Sequence, residues 1–369
     1  MLIGIDASRA AYSQRTGTEN YSLFLIRHML QLDKANQYRL YFSQAPAADL
    51  FSPAPNVQIR HIPFPRLWTH LRLSFEMLAV APDVLFVPAH VLPILHPLRS
   101  VVTVHDLGYL HFPEAHTAWD RWYLQWSTEH NARSAAHIIA DSEATKRDLV
   151  QHCHVPESKI SVVYPGYDPS IAPVSDLAVL DAVRKRYGLP SGYLIYVGTL
   201  QPRKNLIRLL DAMAILARDH DAHLAIAGKK GWLYEGLFAH VRKLGLENRI
   251  TFTGYVPQGD LPALISGANA FVLPSLYEGF GLPVLEAMAC GTPVICSNTS
   301  SLPEVVGDAA VLIDPSDISQ LAQAIASVLE SPHLRQELRG RGLERVKRFS
   351  WADSAAAILR VLDSAPWEA

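Results

Sequence analysis

The sequence predicts an α/β protein made of two doubly wound domains. Three observations lead to this. Short apolar, β-branched runs alternate with amphipathic helical segments, as in a buried parallel sheet. The alternation runs through one set of elements, breaks, and then restarts. The break, PGYDPSIAP (Pro165–Pro173), carries the prolines and glycine of a linker rather than of an element interior.

The first set of expected strands is LIGID (Leu2–Asp6), YRLYF (Tyr38–Phe42), VLFVP (Val84–Pro88), VVTVH (Val101–His105), HIIAD (His137–Asp141) and SVVYP (Ser161–Pro165). Asn20–Leu32 and Ser142–Cys153 are amphipathic segments between them, the second with Ser142 placed as an N-cap. The second set is YLIYVG (Tyr193–Gly198), HLAIAG (His223–Gly228), ITFTGY (Ile250–Tyr255), AFVLP (Ala270–Pro274), PVICS (Pro293–Ser297) and AVLID (Ala310–Asp314). The tail Ser350–Ala365 predicts a helix that opens on a Ser N-cap with an Asp three residues later.

Composition narrows the function classes. At 369 residues the chain is long for one core, and a formal net charge of −2 gives no electrostatic reason to expect nucleic acid. The N-terminus lacks a signal-peptide pattern, and no apolar run reaches the ~18 residues of a membrane span. Cys153, Cys290 and Cys296 are odd in number and form no CxxC, which fits a reduced, cytosolic compartment. No GxGxxG follows a strand, which weakens a nicotinamide or flavin reading. Asp219-His220-Asp221 has the DxD form of a metal-binding motif but lies in a polar turn, and His152-Cys153-His154 has no partner pair at zinc spacing. No metal and no cofactor is expected.

In doubly wound sheets ligands bind beyond the carboxyl ends of strands, so residues just after strands are the candidates, and the cleft between the two domains is the expected site. SLYEGFGLPVLEAMACGTPVI (Ser275–Ile295) joins a strand end to a helix start through Glu278-Gly279-Phe280-Gly281, with Pro283 near the first helical position. Glycines allow close backbone approach, and a helix N-terminus favours an anion such as a phosphate. Two carboxylates eight apart, Glu278 and Glu286, would repel that phosphate but could accept hydrogen bonds from sugar and ribose hydroxyls. A nucleotide-diphosphate sugar fits both demands. The plainer alternative has Glu278 complementing the helix dipole and Glu286 as a solvated helix residue.

GTLQPRKN (Gly198–Asn205) also follows a strand, and it sets Arg203 and Lys204 before a helix that begins near Leu206. Cations there oppose the helix dipole, so an anion should offset them, and a diphosphate would. The alternative is two solvated loop cations. In the first domain, His105 and Asp106 stand at a strand end, as a catalytic pair or as a structural one in which Asp106 orients His105 or caps a turn. Gly17 in RTGTENY (Arg15–Tyr21) is free to approach a ligand.

EGFGLPVLEAMACGTPVI resembles the signature of the retaining glycosyltransferases with the GT-B fold of two Rossmann-like domains, specifically glycosyltransferase family 4. Glu278 and Glu286 match that family's E-x7-E element, and GTLQPRKN its phosphate-binding Arg-Lys segment. The Gly17 loop, TVHDL, ADSEATKRDL and VVYPGYD follow in family order, so the resemblance covers essentially the whole chain. It implies residues 1–170 plus 351–369 as the first domain, with the Ser350–Ala365 helix crossing back to it, and 171–350 as the nucleotide-sugar domain.

By the same resemblance, Glu286 would bind the donor ribose. Glu278 would contact sugar hydroxyls, aided by the amides of Gly279, Phe280 and Gly281 with Leu282 beside them. Arg203 and Lys204, in the segment that opens with Gly198 and Thr199, would stabilise the departing diphosphate. His105 would approach the transferred sugar, and Tyr255 and Val256 would meet the base. Asn20 departs from the family, many members having Arg or His there, which leaves that loop's contacts open.

The activity implied is metal-independent, retaining transfer of a hexose to a hydroxyl acceptor in polysaccharide, lipopolysaccharide or glycolipid synthesis. The segment AGKKGWLYEGL (Ala227–Leu237) tilts the donor toward GDP-mannose over UDP-glucose. A nucleotide-sugar epimerase or a catalytically silent nucleotide-sugar-binding protein are the alternatives. Expected partners are the donor and a glycan or lipid-linked glycan, at a cytoplasmic location that can include peripheral contact with the inner face of a membrane. Trp119, Trp122, Tyr123, Leu124 and Trp126 can be read as such a contact or as a buried aromatic cluster.

Overall fold

The structure, a computed structural model, describes residues 1–12, 15, 17–89, 91–113, 117–231 and 234–364. Two compact units emerge: Met1–Gly166 with Phe349–Ala369, and Tyr167–Arg348.

In the first unit, seven strands form one sheet: β1 (Leu2–Asp6), β2 (Gln37–Phe42), β3 (Val57–His61), β4 (Val84–Val87), β5 (Ser100–Val104), β6 (His137–Ala140) and β7 (Ile160–Val162). Their order is β3-β2-β1-β4-β5-β6-β7, and every pairing is parallel. β4, β5 and β6 are buried at every position, as strands covered by helices on both faces must be. The sequence pattern missed β3. It is the edge strand, four of its five residues are exposed, and so it has no apolar run to betray it.

The helix Trp351–Ser364 belongs to this first unit. It opens on Ser350, whose hydroxyl accepts from the Ala352 and Asp353 amides. Trp351 is buried against Tyr21 and Phe24 of the helix Gly17–Leu32. A Cβ on Gly166 would fall 2.3 Å from the Trp351 amide nitrogen, so only glycine lets the chain pass there. Ala365, the last residue of the expected helix, lies outside the described residues.

The second unit holds β8 (Leu194–Val197), β9 (Leu224–Ala227), β10 (Ile250–Gly254), β11 (Ala270–Leu273), β12 (Val294–Ser297) and β13 (Ala310–Ile313). Their order is β10-β9-β8-β11-β12-β13, again all parallel. Both sheets therefore have the Rossmann order, with the direction of winding reversing between β1 and β4 and between β8 and β11. At such a reversal two neighbouring strands send their following loops apart and leave a crevice. Among the described residues, no helix is long and apolar enough to cross a membrane.

Candidate active site

The reversal in the second unit brings together two segments 70 residues or more apart in sequence. β8 and β11 pair directly, Ala270 with Leu194 and Phe271 with Ile195. GTLQPRKN follows β8 and SLYEGFG follows β11. The loops are knitted by the backbone, with the Leu276 amide donating to the Arg203 carbonyl at 2.8 Å. Asn205 fixes the corner. It adopts a left-handed φ of 59° just before the helix Leu206–Leu216, and its amide donates to the carbonyls of Pro274 and Pro315 at 3.0 and 2.8 Å.

The turn after β11 is held from the other side by Ser300 and Ser301. The Glu278 amide donates to Ser300 Oγ at 2.9 Å, and Ser301 Oγ donates to the carbonyls of Glu278 and Phe280, each at 2.9 Å. Gly281 has φ 106° and caps the helix Leu282–Ala289; a Cβ there would strain the backbone and fall 2.7 Å from Leu302 Cδ2. Gly279, Phe280 and Gly281 are buried, and Leu282 is half-buried.

The anion that faces Arg203 and Lys204 in this structure is Glu278. Lys204 Nζ donates to Glu278 Oε1 at 2.5 Å, and Ser275 Oγ donates to the same oxygen at 2.6 Å. Arg203 approaches Oε2 at 3.9 Å, too far for a hydrogen bond, while its Nη1 donates to the Tyr277 carbonyl at 3.2 Å. The expectation that a bound diphosphate must offset the two cations is thus amended: a carboxylate of the chain already does so. Glu278 and Lys204 are both buried. Burial alone would raise the Glu278 pKa, but Lys204 and then Arg203 outweigh it and hold the carboxyl below its usual value.

Glu286 differs. It sits half-buried on the helix Leu282–Ala289, and burial, reinforced by the charge of Asp168, pushes its carboxyl up to about 7. Asp168 accepts from Gln258 Nε2 at 3.2 Å. A single strand-to-helix motif therefore carries one carboxylate held ionised and one that titrates near neutrality.

Gly198 and Thr199 follow β8, beside the loop after β9. The Gly198 carbonyl lies where a Cβ on Gly228 would be, at 1.9 Å, so these two loops meet backbone to backbone. Tyr255 follows β10 and is 47% exposed, with Lys229 Nζ 5.0 Å above its ring; Val256 next to it is buried. Trp232 and Leu233 of the AGKKGWLYEGL segment lie outside the described residues.

In the first unit His105 follows β5, and its partner is not Asp106. His105 Nδ1 lies 2.5 Å from Asp141 Oδ2, while Asp106 Oδ1 accepts from the Gly108 amide at 2.9 Å and so caps a turn. Asp141 follows β6, the neighbour of β5, and was not singled out in the sequence. Its signal was available: a carboxylate closing the strand next to the one that His105 closes. Burial pulls the His105 pKa down, but Asp141 reverses this and the net shift is upward. Tyr21 packs edge-on to the imidazole at 4.7 Å.

Asp141 Oδ1 and, at the end of β1, Asp6 Oδ2 are buried with no hydrogen-bond partner among the described residues. Burial pushes the Asp6 carboxyl up to about 6. Gly17 is the first residue of its helix, but Thr16 before it lies outside the described residues.

In the discounted Asp219-His220-Asp221 turn, Asp221 pairs with Arg249 at 3.1 Å and His220 with Glu330 at 3.3 Å. Neither reading of the aromatic run holds throughout. Trp119 and Trp122 are stacked at 5.0 Å and exposed by 70% and 55%, whereas Tyr123 and Trp126 are half-buried around His70.

Two family models match the chain, Glycosyltransferase Family 4 over residues 16–171 and Glycosyl transferases group 1 over residues 182–345. The chain is similar to O-antigen chain mannosyltransferase B of Escherichia coli, 37% identical over 255 residues, which cover 69% of this chain and 67% of that protein. It is also similar to the serotype-specific mannosyltransferase WbdA of Escherichia coli, 29% identical over 273 residues, 70% of this chain but 32% of WbdA, so it spans about a third of that relative's length. Among solved structures, Alr3699/HepE of Anabaena, crystallised with UDP and glucose, superposes with a TM-score of 0.76 at 20% identity over 98% of this chain and 99% of that one, a likeness of fold. With two Rossmann-ordered sheets and a family model matched on each, the chain belongs to glycosyltransferase family 4, the group 1 glycosyltransferases of GT-B fold.

Proposed function

We propose that this glycosyltransferase moves a hexose from a nucleotide-diphosphate sugar to a hydroxyl acceptor, with retention at the anomeric carbon and without a metal ion. The observation that carries the reading is the Arg203–Lys204–Glu278 cluster at the β8–β11 reversal. As the anomeric C–O bond to the diphosphate breaks and that to the acceptor forms, negative charge gathers on the departing phosphate, which takes up the acceptor's hydroxyl proton. Preorganised cations stabilise such charge at no cost of reorganisation. Lys204 has three donors and Arg203 five, so both can hold phosphate oxygens without leaving the protein partners that position them.

Glu278 Oε1 is engaged by Lys204 and Ser275. Oε2 therefore has the capacity to accept from a hydroxyl of the transferred sugar. Glu286 accepts from the ribose diol when ionised, and Tyr255 and Val256 border the base. His105 Nε2 donates to the transferred sugar, with Asp141 orienting the ring through Nδ1. The mannosyltransferase relatives favour GDP-mannose as donor and a lipid-linked or polysaccharide O-antigen-type glycan as acceptor. We place the reaction in the cytoplasm, with exposed Trp119 and Trp122 available for peripheral contact with a lipid-linked acceptor at the membrane face.

The reading is tested by incubating the protein with nucleotide sugars in EDTA without acceptor and following the released hexose by NMR before it mutarotates. An α-hexose released from an α-linked donor supports retention. A β-hexose overturns it.

A further inference from the structure

His111, Asp148 and His152 meet in the first unit, and none of them is assigned above to donor or sugar. His111 ends the short helix Gly108–His111, while Asp148 and His152 are four apart on the helix Glu143–Cys153 and so share a face. Asp148 Oδ2 lies 2.9 Å from His111 Nε2, and Asp148 Oδ1 lies 4.0 Å from His152 Nε2. The two imidazoles meet edge-on with centroids 5.6 Å apart. One ligand atom from each residue lies within 4.8 Å of those of the other two. Asp148 is buried and both histidines reach solvent.

Two imidazoles and one carboxylate are a set that zinc accepts, with a water completing four-coordination. Metal–ligand distances of about 2.0–2.2 Å require ligand atoms roughly 3.4 Å apart in a tetrahedron. The two histidines approach different oxygens of Asp148, His111 reaching Oδ2 at 2.9 Å and His152 reaching Oδ1 at 4.0 Å, and one ligand atom from each residue lies within 4.8 Å of the others, so the ligands must draw together around an ion. His152 lies in the last turn of its helix, where the dipole favours a cation.

We infer that His111, Asp148 and His152 form a three-ligand binding site for a divalent cation of the zinc class, its fourth position left to water. The ion would clip together two helices that both lead to His105. One ends six residues after His105, at His111. The other begins beside Asp141, and the Thr145 hydroxyl in its first turn donates to the His105 carbonyl at 3.2 Å. The inference does not rest on the proposed transfer chemistry.

The test is calorimetry of Zn2+ against the full chain, tag-free and metal-stripped, with Co2+ absorption as a second readout of tetrahedral ligation. One site per chain is expected, with a rise in melting temperature on adding Zn2+. His152→Ala and His111→Ala should each weaken binding by more than the ~10–100-fold that even an outer-shell partner contributes. The His152 side chain is 44% exposed, so its variant should keep the fold, which circular dichroism checks. Exposed His333→Ala should leave the site unchanged and controls for background binding by other histidines. Absence of saturable Zn2+ binding, or binding unaffected by both site variants, overturns the inference.

Discussion

Lys204→Met separates holding the fold from doing the chemistry. Lys204 and Glu278 are 9% and 6% exposed at their side chains and 2.5 Å apart. Removing one partner of a buried ion pair costs about 3–5 kcal/mol, because the other charge is left uncompensated. Ser275 still donates to Glu278, and Arg203 stays near, so the lower end, ~3 kcal/mol, applies. For a unit the size of Tyr167–Arg348 that lowers the melting temperature by about 6–12 °C.

The loss has a pH signature. In the wild type the Glu278 pKa is depressed, so its contribution is present above the unfolded value and is lost only as the pH falls through the folded value. Without Lys204, burial is opposed by Arg203 and Ser275 alone, so the Glu278 pKa rises above its wild-type position and the variant gains less stability than the wild type as the pH rises. The deficit measured by differential scanning calorimetry should therefore be larger at pH 8 than at pH 5. Lys204→Met/Glu278→Gln removes both charges and should recover most of the stability, while turnover stays down by ~10²–10³. A wild-type melting temperature in Lys204→Met, or a double variant that recovers turnover, would refute the reasoning.

Three further outcomes are expected. If Glu286, whose carboxyl burial and Asp168 push up to about 7, binds ribose as a carboxylate as proposed, affinity for a nucleotide sugar, whose diphosphate diester does not titrate here, should fall about tenfold from pH 8.5 to pH 6 and be pH-independent in Glu286→Gln; a flat wild-type profile by calorimetry would count against the ribose role. On the proposed role of Arg203 and Lys204 as the cations that hold the departing diphosphate, turnover should survive EDTA; loss of activity restored by manganese would redirect attention to Asp219-His220-Asp221. Asp141→Asn should move the NMR titration of His105 to lower pH, since Asp141 is what raises it, and an unmoved titration would sever that link.

Much of this architecture was legible because buried parallel strands leave short apolar runs bounded by turn residues. All twelve expected strand segments overlap strands of the two sheets, Ser161–Pro165 only at Ser161 and Val162 of β7, and β3 escaped because an exposed edge needs no apolar face. Ser142 was legible as a cap, and its hydroxyl accepts from the Thr145 amide at 3.0 Å. What the sequence concealed was adjacency. Strand order is a long-range property, so nothing local indicates that β8 lies beside β11 or β5 beside β6. Hence Glu278 was assigned to a sugar and Lys204 to a phosphate without their being seen as a pair, and Asp106, next to His105 in sequence, stood in for Asp141, next to it in space. The Glu286 carboxyl titrating near neutrality was hidden for the same reason, since burial and Asp168, 118 positions earlier, produce it.

The central claim is that Arg203, Lys204 and Glu278 act on a nucleotide-diphosphate sugar. Its most direct test is a panel of nucleotide sugars, GDP-mannose and UDP-glucose among them, incubated with the protein in EDTA while released nucleoside diphosphate is quantified for the wild type and for Lys204→Met/Glu278→Gln. The account predicts release from a preferred donor by the wild type and a loss of ~10²–10³ in a variant that remains folded. Failure to bind or cleave any nucleotide sugar, or equal release by the folded variant, would contradict it.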